Sequence, residues 1–438
     1  MKTIDKIPSS KIGRATNIIK TGVKVGGNYI SHYGKKLVNS KQSRTSLDEN
    51  NAKDIYEGIT KMKGSVLKVA QMLSMEKNLI PQAYANEFAQ AQFSVPPLSA
   101  PLVNKTFRKY FGKSPNDVFD RFDKDSIRAA SMGQVHKASL NNTELAVKIQ
   151  YPGVAESISS DLALVKPFAV KLFNLKGKDS EKFFQEVESK LIEETDYEQE
   201  LKQSLFVKKS CSHLPHLVFP EYYSELSGKK ILTMSWINGV HLSEFAESNK
   251  NQHLSNKIGQ VLWDFYMYQM HELKQVQADP HPGNFLLTDD NQLGVIDFGC
   301  IKEITDDFYT PYFHLTDHEI LNDPVKFHKL LLKLEILHEN DPSKELTFFT
   351  EMFHEMLTLF SLPFQSEKFD FGQSGFLNDL AELGNKYSQS SELRKYNGNR
   401  GSKHLLYMNR TFFGLYSLLN QINAEVSINS YKKLLINK

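Results

Sequence analysis

The chain has 438 residues, 40% of them hydrophobic and 24% charged, with a formal net charge of only +2. That length exceeds one ordinary core and predicts two or three packed lobes of a soluble globular protein. The near-neutral balance excludes a global pull towards nucleic acid. The two cysteines, Cys211 and Cys300, lie far apart and in no metal-ligand spacing, which argues against a disulfide framework or a zinc site. Cys300 reads as a small buried residue rather than a reactive thiol. No apolar run is long enough to span a bilayer, and the N-terminus lacks a signal-peptide core. A cytoplasmic location is therefore expected.

The first elements are helical. Residues 1–47 form a basic segment, with ten Lys and Arg in positions 1–45 against the single acid Asp5. Ile19, Val23, Gly26, Ile30, Tyr33 and Leu37 recur at helical spacing. Two readings stay open for this stripe: a helix lying on an anionic membrane surface, or a helix packed on the body. Residues 48–100 form a helical extension. Ile55, Ile59, Met62, Val66, Val69 and Leu73 make one apolar stripe, with Gly64, Lys68 and Gln71 on the opposite face. Pro96, Pro97 and Pro101 then mark a linker.

Residues 101–238 read as a small β-rich lobe. Val135 to Leu140 and Glu144 to Gln150 form a hairpin across Asn141-Asn142-Thr143. A helix is expected over 181–208 and strands near 217–224 and 230–237, with Ser227-Gly228 turning between them. Residues 239–438 are mainly helical, apart from a loop and hairpin near 277–300. The order predicts an α+β fold of two lobes with a cleft between them, a helical N-terminal extension and a mainly helical C-terminal lobe.

The chemistry concentrates in Gln277-Ala-Asp-Pro-His-Pro-Gly-Asn284 and Val295-Ile-Asp-Phe-Gly299. A kinase needs an Asp near the transferred phosphoryl group, an Asn on Mg²⁺ and an Asp-Phe-Gly aspartate on the metals. Asp279, Asn284 and Asp297 stand at that spacing, and hard oxygen ligands suit Mg²⁺. Asp-Phe-Gly alone is a common tripeptide; the combination is specific. Ala146-Val-Lys-Ile149 matches the strand that presents a lysine, Lys148, to nucleotide phosphates. The following helix carries Glu193-Glu-Thr-Asp-Tyr-Glu-Gln-Glu200, in which Asp196 and Glu200 are four apart. Taken alone, that acidic run reads as a solvated face. His281, between two prolines, reads as a hydrogen-bonded structural residue rather than a proton-transfer group.

Together these residues resemble the UbiB-like atypical kinases, also called the AarF or ADCK family, over roughly 50–420. Lys68-Val-Ala-Gln71 is similar to the family's KxGQ motif. Ala129-Ala-Ser-Met-Gly-Gln-Val-His136 resembles its alanine-rich loop, and Arg410 to Tyr416 a late helix. The resemblance implies ATP (or ADP) and Mg²⁺ as cofactors, with Asp279, Lys148 and Glu200 catalytic and Asn284 and Asp297 holding metal. It implies nucleotide contacts from Ala130, Ser131, Met132, Gly133, Lys148, Met234 and Trp236. Lys68, Gln71, Glu194 and Asp196 would form a lid that blocks protein substrates. It further implies ATP hydrolysis or phosphorylation of a small molecule or lipid, in isoprenoid quinone metabolism, with peripheral membrane association. Expected partners are nucleotide, an anionic membrane surface and a quinone-like lipid or small acceptor. A homodimer stays open. The alternative function is a nucleotide-binding pseudokinase scaffold for a membrane-associated biosynthetic complex. An ordinary protein kinase is disfavoured, because a glycine-rich loop and an Ala-Pro-Glu segment are lacking.

Four positions depart from the family pattern. Ala70 replaces the KxGQ glycine and Arg128 a further alanine. Gln277 stands where a structural histidine is usual, for which a modest effect is expected. Ser235 stands where the hinge commonly has an acid, which bears on nucleotide preference.

Overall fold

The computed structural model describes residues 16, 20, 21, 23–25, 27, 28, 44–62, 64–75, 83, 84, 87, 97–129, 132–173, 178–372, 375–388, 390–396 and 400–428. The chain divides into two compact units, Met1–Lys202 with Glu221–Trp236, and Gln203–Pro220 with Ile237–Lys438.

In the first unit, helices α1 (Arg44–Met62) and α2 (Ser65–Met75) precede α3 (Ala100–Phe111). The expected apolar stripe from Ile55 to Leu73 does not run along one helix. Gly64 adopts φ +63°, which breaks the chain between α1 and α2. Ile55, Ile59, Val66 and Val69 are nonetheless all buried in the same core. In the basic segment, the described residues between 16 and 28 are helical. They rest on α1 through Thr21 against Gly58, Val25 in the core, and Asn28 bonded to Asn51 and Asp54. Val23, assigned to the apolar stripe, is instead 70% exposed. The other stripe positions, Ile19, Gly26, Ile30, Tyr33 and Leu37, lie outside the described residues.

Strands β1 (Arg121–Phe122), β2 (Arg128–Ala129), β3 (Gly133–Leu140), β4 (Thr143–Gln150) and β6 (Ile231–Ser235) form one antiparallel sheet, β1-β3-β4-β6, with β2 also on β3. The β3–β4 turn is shorter than the three residues expected. Asn141 and Asn142 alone make it, at φ 51° and 62°, the left-handed pair of a type I′ hairpin. Helix α4 (Val154–Phe173), which periodicity did not mark, packs on α2 and on α5 (Lys178–Glu194). The helix expected over 181–208 is two helices, α5 and α6 (Tyr197–Cys211), because Thr195 and Asp196 interrupt it. Asp196 Oδ1 accepts from the Gln199 N–H, the bond by which an aspartate starts a new helix.

In the second unit, β5 (Leu217–Val218) runs parallel to β10 (Leu293–Val295), which pairs with β9 (Phe285–Leu287) and through it with β7 (Val240–His241). The strand expected near 217–224 is thus short, and Leu217–Val218 pairs with β10 rather than β6; the expected antiparallel pairing with β6 is made only by residues 221–223, through the bridge Tyr222 to Met234 and the Tyr223 N–H to Thr233 carbonyl bond, with a second bridge, Gly228 to Ile231, at the turn. Strands β8 (Gln275–Gln277) and β11 (Ile301–Glu303) make a second pair. Around them lie helices α7 (Leu242–Ser248), α8 (Gln252–Tyr268), α9 (Asp306–His314), α10 (Pro324–Lys333), α11 (Ser343–Phe360), α12 (Phe376–Ser388) and α13 (Lys403–Gln421). Trp263, Phe265 and Tyr266 of α8 and Leu415 and Tyr416 of α13 are fully buried in their shared core. Cys300 is buried, as expected.

Candidate active site

Strand β4 alternates. Leu145, Val147 and Ile149 are buried at no more than 1% exposure, which turns Lys148 to the other face. There Lys148 Nζ donates to Glu200 Oε1 at 2.7 Å. Glu200 sits in the first turn of α6 with a side chain only 3% exposed, against 22% for Lys148. The acidic run is therefore not a uniformly solvated face. A carboxylate this buried is stable only when paired. The ammonium also lies 5.0 Å from the Tyr197 ring centroid.

Gly133 opens β3. A Cβ there would stand 2.7 Å from the Ile149 carbonyl and 2.8 Å from the Tyr197 hydroxyl, so a side chain would force the hairpin apart. Met132 beside it is buried, and its carbonyl accepts from the Tyr151 N–H at 2.9 Å. Ala130 and Ser131 lie outside the described residues.

Lys68 on α2 makes an ion pair with Glu194 at 2.8 Å, both side chains under a fifth exposed. Asp196, the second acid of the expected lid, is exposed and caps α6. The Gln71 side chain is outside the described residues. The start of α2 is tied to α4: Ser65 Oγ donates to Asp161, which also accepts from Ser157 Oγ at 2.9 Å.

Along β6, Met234 is buried opposite Ala146. Ser235 exchanges two bonds with Glu221, its N–H donating to the carbonyl at 2.7 Å and its Oγ accepting from the N–H at 2.9 Å. The Trp236 N–H donates to the Glu144 carbonyl, and the Lys137 ammonium lies 4.9 Å from the indole centroid.

In the second unit, the loop after β8 carries Asp279 and a single 3₁₀ turn, Pro282–Asn284. The Asn284 Nδ2 donates to the Asp279 carbonyl at 3.0 Å. That bond uses the amide hydrogens and leaves Oδ1, the atom a cation requires. Asp297 follows β10, and its Oδ1 accepts from the Gly299 N–H at 2.9 Å. The Ile296 N–H donates to the Asn284 carbonyl, which fixes the two segments to each other. One carboxylate and one amide oxygen fit Mg²⁺, which takes few protein ligands and completes its shell with water and phosphate oxygens. Among the described residues there is no group of three or more His, Cys, Asp and Glu side chains that could hold a metal ion. His281 Nδ1 accepts from the Gly283 N–H at 3.0 Å, the structural bond expected of it.

Some contributors carried no separable sequence signal. Gln134 Oε1 accepts from the Leu98 N–H at 2.7 Å, and its amide meets His136 Nε2 at 2.7 Å. His136 Nδ1 reaches the Asp123 carbonyl at 2.9 Å. Burial depresses the His136 pKa, so the ring is neutral, with Nδ1–H donating to Asp123 and Nε2 accepting from Gln134. The Gln-Val-His of the alanine-rich motif thus ties β3 to its flanking segments. On α13, Gly414 packs against the loop that carries Asp279, where a Cβ would overlap the Pro280 ring and stand 3.1 Å from the Pro280 carbonyl.

The chain is 28% identical over 86% of its length to the mitochondrial atypical kinase COQ8B of Danio rerio, covering 62% of that protein. It is 28% identical over 76% of its length to the mitochondrial atypical kinase COQ8 of Saccharomyces cerevisiae, covering 67% of it. A probable serine/threonine-protein kinase, abkA of Dictyostelium discoideum, matches at 28% over 78% of the chain and 64% of its own length. The chain thus spans less than two thirds of two of these relatives. Among solved structures, Rv3197 of Mycobacterium tuberculosis, determined with erythromycin, shares the kinase-like fold at a TM-score of 0.60 and 24% identity, covering 89% of this chain and 97% of that one. No helix among the described residues is long and apolar enough to cross a membrane. The ABC1 atypical kinase-like domain matches residues 90–330, more than half of the chain, and the protein belongs to that family of COQ8- and AarF-related atypical kinases.

Proposed function

We propose that the protein binds Mg²⁺–ATP and transfers or hydrolyses its terminal phosphoryl group, with water or a small lipid-like molecule as acceptor. The observation that carries this reading is the 2.7 Å pair between Lys148 and the buried Glu200. A strand lysine held by a helix carboxylate is the arrangement that fixes nucleotide phosphates in kinases. Lys148 would bind the phosphates, and Glu200 holds its ammonium in place. Asp297 and Asn284 would hold Mg²⁺, which when bound neutralises charge on the phosphate oxygens. Asp279 would orient the acceptor hydroxyl or water and accept its proton. The Lys68–Glu194 pair supports a lid role for α2. The connection to isoprenoid quinone metabolism rests on the family resemblance.

The test is thermal stabilisation by Mg²⁺–ATP and Mg²⁺–ADP, paired with phosphate release, in the wild type and Asp297→Ala. A ligand at a hundredfold excess over its Kd adds about 2.7 kcal/mol by mass action. A Mg²⁺-dependent shift abolished by Asp297→Ala supports the nucleotide site. Stabilisation without turnover towards water, quinone precursors or lipids would favour the scaffold reading, and no stabilisation would sink both.

A further inference from the structure

Three buried side chains converge behind Asp297. Gln277 ends β8 at 1% exposure, and Tyr266 and Gln269 are fully buried. The Gln277 Nε2 donates to the Asp297 main-chain carbonyl at 2.8 Å. Its Oε1 accepts from the Tyr266 hydroxyl at 2.5 Å. Its backbone N–H donates to Gln269 Oε1 at 3.0 Å. Gln269 in turn donates from Nε2 to the Phe265 carbonyl at 3.2 Å.

The orientation of the Gln277 amide is forced. The Asp297 carbonyl can only accept, so it requires the NH₂ end. Oε1 is then left facing Tyr266. Burial, with the charge of Asp279 adding to it, raises the Tyr266 phenol well above its ordinary pKa, so the hydroxyl keeps its proton and donates. A flipped amide would set two carbonyl oxygens against each other. Gln269 owes its place to a local irregularity. At the end of α8 the backbone widens into a π-helical turn, Gln269–Leu273, closed by Lys274 at φ 52°. Such turns displace one residue from the regular helical register and often accompany functional sites. Here the displaced register brings an amide to β8.

Resting on the nucleotide reading above, we infer that Gln277 is a positioning residue for the metal ligand Asp297. Tyr266 and the π-turn Gln269 hold Gln277 in the one orientation that serves. Neighbouring bonds fix the Asp297 side chain through Gly299 and the preceding residue through Asn284. The Gln277 bond fixes the carbonyl of Asp297 itself, and so the plane from which its carboxylate projects.

The experiment titrates Mg²⁺ at fixed, saturating ATP and reads thermal stabilisation, with ATP affinity measured separately at saturating Mg²⁺. Gln277→Leu removes the bond to Asp297. Tyr266→Phe removes one hydroxyl and leaves the packing, so it serves if the leucine variant does not fold. Gln277→His restores a donor towards Asp297 and an acceptor towards Tyr266. Loss of one such hydrogen bond corresponds to roughly a 3- to 10-fold change. We expect the Mg²⁺ midpoint to rise by that factor in Gln277→Leu and by less in Tyr266→Phe, with ATP affinity at saturating Mg²⁺ unchanged. Gln277→His returns the midpoint to near wild type. An unchanged Mg²⁺ midpoint in both Gln277→Leu and Tyr266→Phe overturns the inference. So does an equal loss of ATP affinity and of Mg²⁺ response without rescue by histidine, which marks a merely structural residue. A wild-type protein that ATP and Mg²⁺ do not stabilise refutes the nucleotide reading instead, before any variant is compared.

Discussion

The Lys148–Glu200 pair can be tested without knowing the substrate. Lys148→Met keeps the aliphatic stem and removes the ammonium. Glu200, 3% exposed, then loses the ammonium that balances its buried charge. Removing one partner of a buried ion pair costs about 3–5 kcal/mol. Lys148 is itself 22% exposed, so water compensates in part, which places the loss near the low end, about 3 kcal/mol. Glu200→Gln costs less, about 1–2 kcal/mol, because the Lys148 ammonium, 22% exposed, retains access to solvent. The double variant Lys148→Met/Glu200→Gln has no buried charge to strand. Its loss should fall short of the sum of the singles by at least about 2 kcal/mol. For a unit of this size, 3 kcal/mol corresponds to roughly 6–12 °C in Tm. The assay is urea and thermal unfolding of all four proteins, followed by circular dichroism. Additivity within about 0.5 kcal/mol would refute the argument, because it would mean that the two groups do not depend on each other.

Two further outcomes follow from the same geometry. Burial lowers the His136 pKa, so below about pH 6.5 the unfolded chain takes up a proton that the folded ring resists. The stability it contributes is full above pH 6.5 and is lost as pH falls through the folded value. Tm should drop between pH 7.5 and 5, and His136→Gln should flatten that slope; an unaltered slope would show that another group causes it. Gly414→Ala sets a methyl group against Pro280, and overpacking of this kind costs about 1–3 kcal/mol. Since Pro280 adjoins Asp279, phosphate release should fall more than Tm, and an unchanged turnover would show that the loop accommodates the methyl group.

The sequence by itself determined the family and much of the fold. Motif spacing named Asp279, Asn284, Asp297 and Lys148. Period-two alternation built the β3–β4 hairpin, because alternate side chains must leave the core. Spacing also narrowed the acidic run to Asp196 and Glu200, and the family resemblance assigned Glu200 to Lys148 and Asp196 to the lid; the tertiary structure supplied the contacts each side chain makes. Glu200 meets Lys148 across 52 residues and is buried with it, whereas Asp196 caps a helix in solvent. Chain breaks were equally hidden. Gly64 and Thr195-Asp196 interrupt patterns whose apolar periodicity continues through them, since the pieces on either side still face one core. Gln277 read as a modest substitution because its weight lies in partners 8, 11 and 20 residues away. One of those partners is placed by a π-helical turn. Periodicity reports which face of an element is apolar. The hydrogen bonds that a buried polar group must find are settled only when distant segments meet.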